Sequence, residues 1–78
     1  MGLSTFNMEA YERETKIVVY RFLRKKSSFP ECIAALDAAL ARLVPYLTGE
    51  QIAHLRAIML ANNATVMLEM ERREHAAL

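Results

Sequence analysis

Asn62 and Asn63 stand side by side in "MLANNATVML", an otherwise apolar, helix-like stretch. A side-chain amide offers a donor pair and an acceptor. On an apolar helix face it either binds a polar ligand or bonds across to a neighbouring helix, lowering stability while fixing register. Ile52, Leu55, Met59, Val66 and Met70 trace an apolar stripe, and at about 100° per residue Asn63 falls near its centre and Asn62 at its edge. The expected role is pairing between helices. Asn62, Asn63, Val66, Met67 and Met70 are therefore the candidate oligomer interface.

A second group, "RFLRKK", gathers Arg21, Arg24, Lys25 and Lys26 around Tyr20 and Phe22. Cations interleaved with aromatics suit a nucleic-acid backbone and stacked bases. The same residues also suit the C-terminal end of a helix, whose dipole favours cations. No second basic run supports the nucleic-acid reading, so it stands as the alternative. Metal chemistry is poorly provided for. His75 shares a helix face with Glu71, but there is no Glu-x-x-His or His-x-x-x-His spacing, and His54 is distant. Cys32 follows a helix start that could lower its pKa, although a lone cysteine there is more commonly a small buried apolar residue. No nucleophile, base and orienting group are spaced for catalysis, so no enzyme, cofactor or metal is expected.

The elements that must position these residues are marked by two capping boxes. "SFPE", Ser28–Glu31, and "TGEQ", Thr48–Gln51, each place a hydroxyl and a reciprocal side chain three residues apart. Pro30 in the first turn is harmless there, whereas Pro45 disfavours helix at Val44. Three helices are predicted, at about 7–26, 29–44 and 49–76. In the first, Met8, Tyr11, Thr15, Val18 and Phe22 share a face, and Glu9–Arg13 and Glu12–Lys16 are favourable pairs. Its "KIVVYRF" segment also has strand character. In the second, Phe29, Ile33, Leu36, Leu40, Leu43 and Leu47 form a seam, and the surrounding alanines predict a central helix. The third, at about 40 Å, should outrun an antiparallel second helix of about 24 Å. Its distal Val66, Met67, Leu68 and Met70 then need another partner. "LTGEQIAHLRAIM" resembles the first helix of an EF-hand or a helix-turn-helix. However, the acidic calcium loop is absent, and Arg56, Gln51 and His54 are too few to read DNA.

The 78-residue length allows one domain, and 54% apolar residues with two glycines and two prolines favour helices over strands. The net charge of +1 implies no dominant attraction to nucleic acid. With no leader-like segment, no membrane-length apolar run and one cysteine, a cytoplasmic setting is expected. The expected protein is an all-α three-helix bundle with a long C-terminal helix, completed by self-association. Its expected function is non-enzymatic protein–protein interaction or oligomerisation, as a homodimer or with a helical protein partner.

Overall fold

In the computed structural model, which describes residues 3–43 and 47–77, the chain forms three helices. They are α1 (Leu3–Leu23), α2 (Phe29–Leu43) and α3 (Gly49–Ala77). The "KIVVYRF" segment is helical: Val19 and Phe22 are buried and Val18 half-buried, Ile17 is 56% exposed, and there is no strand among the described residues to pair with. The expected break at Val44–Pro45 lies outside the described residues.

Both helix starts are built as their sequences dictate. The Glu31 amide donates to Ser28 Oγ at 3.2 Å and the Ser28 amide to Glu31 Oε1 at 2.8 Å. At α3 the Gln51 amide donates to Thr48 Oγ1 at 3.3 Å and the Thr48 amide to Gln51 Oε1 at 2.9 Å. The end of α1 differs from expectation. It stops at Leu23 rather than Lys26, because Lys25 takes a left-handed φ of 60°. The Lys25 amide then donates to the Phe22 carbonyl at 3.0 Å and the Lys26 amide to the Arg21 carbonyl at 2.8 Å, a Schellman closure. The start of α1 also lies earlier than Asn7, at Leu3.

Two core clusters set the topology. Met8 and Tyr11 at the start of α1 meet Ala39 at the end of α2 and Leu55 near the start of α3. Val19 and Phe22 near the end of α1 meet Cys32 and Leu36 of α2 and Val66 of α3. So α1 and α3 run parallel and α2 runs antiparallel to both. The helix at the centre is α1, not α2: it packs along both partners, while α2 and α3 barely touch. The distal half of α3 consequently packs on α1 through buried Val66 and half-buried Met70, while Met67 and Leu68 stay 52% and 65% exposed.

The α2 seam is rotated from the expected one. Cys32 and Ala39, at 1% exposure, join Leu36 against α1, while Phe29, Ile33 and Leu40 are half-buried to the side. Short side chains on the contact line let the two helices approach closely, and the larger ones fill the margins. Neither Glu9–Arg13 nor Glu12–Lys16 forms an ion pair; Glu14 instead bridges to Arg42 and ties α1 to α2. The molecule is thin, 51 × 20 × 15 Å. Its radius of gyration of 13.8 Å exceeds the roughly 11.5 Å expected for a compact chain of this length.

Candidate functional site

The splay of α2 and α3 over α1 leaves a cleft of about 370 Å³, lined by Ile33, Leu36 and Asp37 of α2 and by Asn63, Val66 and Met67 of α3. A smaller space of about 60 Å³ continues it past Leu40, Met59 and Asn62 to Tyr11 at its base. The surface is apolar, with Asp37 and the two asparagines as its polar points. Burial raises the Tyr11 phenol pKa. Asn62 Nδ2 is buried without a hydrogen-bond acceptor. Such an unpaired amide is costly, and it is an open donor at the edge of the cleft.

The five candidate interface residues divide. Met67 is 52% exposed and, with exposed Asn63, forms the lip of the cleft. Val66, at 1% exposure, belongs to the core, and half-buried Met70 packs against the same cluster. The asparagines exchange places relative to expectation: Asn62 is half-buried and Asn63 exposed. The cause is the phase of α3. Its inner face runs through Leu55, Met59, Asn62, Val66, Glu69 and Arg73, whereas Ile52 is 46% exposed.

Glu69 is the residue that the hydrophobic pattern hides. It is 7% exposed yet charged, because Arg72 and Arg73 both reach it. Arg72 donates through Nε to Oε1 at 3.0 Å and through Nη2 to Oε2 at 2.7 Å; Arg73 Nε donates to Oε2 at 2.7 Å. These bonds to the ionised form hold the Glu69 pKa down to about 2. Arg73 continues inward: Nη2 donates to the Phe22 carbonyl at 2.8 Å, and its guanidinium lies 4.3 Å from the Phe22 ring centroid. The available signal is the i,i+3 and i,i+4 spacing of Glu69 to two arginines.

The basic cluster occupies the same end of the bundle. Arg21, Arg24, Lys25 and Lys26 are all exposed. Arg24 donates to the Tyr20 hydroxyl at 2.8 Å and stacks 5.4 Å from its ring centroid. The fold thus brings the Arg72–Arg73 pair near Phe22 and the end of α1, but both arginines are engaged by Glu69. Cys32 is buried beside Phe22, and desolvation raises its pKa, opposite to what a reactive thiolate at a helix start requires. Among the described residues no three His, Cys, Asp or Glu side chains come together. No helix among them is long and apolar enough to cross a membrane.

No protein-family model, curated protein or solved structure matches the chain. The functional reading therefore rests on the chain's own chemistry.

Proposed function

We propose that this protein is a non-enzymatic helical interaction module whose α2–α3 cleft receives a further helix. One observation carries the reading: two helices splay over a third, and their unfilled apolar margin includes Met67, at 52% exposure. A fourth helix laid there would cover Ile33, Leu36 and Met67 and complete a four-helix arrangement. It would also bring an acceptor toward Asn62 Nδ2. Helix-in-groove docking of this kind depends on a few apolar anchors. The nucleic-acid alternative is less well supported, since Glu69 holds the two α3 arginines beside the basic end.

The test uses Met67→Glu, an exposed position whose substitution leaves the core intact. Sedimentation of the wild type over a concentration series, with amide shifts mapped in parallel, should show association centred on Ile33, Asn63 and Met67. Met67→Glu should abolish it, because an unpaired charge resists burial. A wild-type chain that remains monomeric and captures the same proteins from native cells as Met67→Glu refutes the reading. Retention on heparin that falls steeply with salt would favour the alternative.

A further inference from the structure

The outer face of α3, which adjoins the cleft, carries a pattern of its own. Arg56, Leu60, Ala64, Met67 and Glu71 are all exposed. At about 100° per residue they fall within an arc of about 80°. Leu60 and Met67, at 63% and 52% exposure, are its apolar centre. Arg56 and Glu71 bracket it, and neither makes an ion pair or side-chain hydrogen bond among the described residues.

Resting on the reading of the cleft as a helix-docking site, we infer that the helix docked at its α3 lip is α3 of a second copy, packed antiparallel against this outer face about a two-fold axis between Asn63 and Ala64. The charges decide this. Rotation about that point sets Arg56 against the partner's Glu71 and Glu71 against the partner's Arg56. Leu60 meets the partner's Met67, and the reverse contact follows by symmetry. Such a self-complementary patch is what a two-fold interface requires. Parallel pairing would oppose Arg56 to the partner's Arg56 and Glu71 to the partner's Glu71, which like-charge repulsion disfavours. A shift of one heptad in the antiparallel arrangement would lose both ion pairs. Asn63 lies beside the axis, where its amide and that of the partner's Asn63 approach one another. An amide at that place penalises other registers, the known use of a polar residue in a helix seam. Asp37, the acid of the cleft wall, lines the same cleft as Asn63.

The test is charge exchange between chains, read by sedimentation equilibrium. Arg56→Glu alone places acid against acid twice, and Glu71→Arg alone places base against base twice. Each should weaken self-association by about tenfold or more. An equimolar mixture of the two variants restores both attractive pairs and should dimerise like the wild type. Disulfide trapping checks direction without altering charge: a mixture of Leu60→Cys and Met67→Cys chains should cross-link, while Leu60→Cys alone should not. Wild-type dimerisation that both charge variants retain, or rapid cross-linking of Leu60→Cys with itself, overturns the antiparallel register. If Met67→Glu still dissociates that dimer, the cleft reading survives the loss. A monomeric wild type overturns the second copy as occupant, leaving the cleft reading to be decided by its capture comparison.

Discussion

The contact most diagnostic of this fold is the one between Arg73 and Phe22, because it joins the ends of two helices that are parallel and 51 residues apart. Phe22 is fully buried, with Phe29 edge-on at 6.3 Å and Arg73 over its face at 4.3 Å. A chain of 78 residues is expected to have about 4–12 kcal/mol of stability. Phe22→Ala, at roughly 3–5 kcal/mol, would consume most of that, so Phe22→Leu is the useful perturbation. It removes the aromatic pair, worth about 0.5–1.5 kcal/mol. It also removes the ring–guanidinium attraction, worth about 0.5–1 kcal/mol when exposed and about 2 when desolvated. The Arg73 side chain is 28% exposed, between those limits, so a coupling of about 1 kcal/mol is expected. The assay is a double-mutant cycle of Phe22→Leu with Arg73→Met, each protein unfolded in urea and followed by far-ultraviolet circular dichroism. Arg72 neutralises Glu69 in all four proteins, and the Phe22 carbonyl keeps the Lys25 amide, so both effects cancel across the cycle. Additivity within about 0.3–0.5 kcal/mol would show that Arg73 does not engage the ring, and the parallel docking of α3 on α1 would lose its fastening.

Ser28→Ala should lower stability by about 1 kcal/mol, because it removes the acceptor for the Glu31 amide; an unchanged urea midpoint would mean that α2 does not depend on its box. Lys25→Gly should raise stability by up to about 1 kcal/mol, since φ of 60° strains every residue with a Cβ, and a lowered melting temperature would contradict the left-handed closure. Cys32, at 1% exposure, should react with a thiol reagent only as fast as the chain opens, so the rate should rise through the unfolding transition. Immediate labelling of the native protein would place the thiol at the surface. Glu69 has a folded pKa of about 2 against an ordinary 4.5, so its stabilising effect is fully present above about pH 4.5 and is lost as pH falls toward 2. Melting temperatures of wild type and Glu69→Gln should therefore converge over that window, and a constant difference would show that the arginines do not hold the carboxylate.

The helix starts are legible in the sequence because their chemistry is local: a hydroxyl and its reciprocal partner three residues on form the same bonds whatever packs against them. Helix phase is not local in that sense. Ile52 is apolar and Glu69 is charged, so hydrophobicity alone centres the α3 stripe toward Asn63. In the fold Ile52 faces out, and Glu69 faces in because two arginines accompany it. That one substitution of roles moves Val66 from the expected interface to the core and exchanges Asn62 with Asn63. The overhang argument misplaces the neighbour for a related reason. It compares α3 with its sequence neighbour α2, whereas the helix that covers Val66 and Met70 is α1, two connections earlier; Met67 and Leu68 stay 52% and 65% exposed, so a single neighbour leaves part of the distal half uncovered. Asn63 and Met67 nevertheless line the cleft, because a rotation of some 40° carries Asn63 out of the buried stripe to the side of α3 that borders α2, with Met67 beside it. The part of the candidate site that withstands the rotation is thus the part that borders solvent, and it is also where Arg56 and Glu71 stand unpaired. Charges placed either side of an apolar centre on one helix face can serve packing only if another helix is laid across them. That is the physical reason for directing the oligomerisation tests at the outer face of α3 rather than at its buried one.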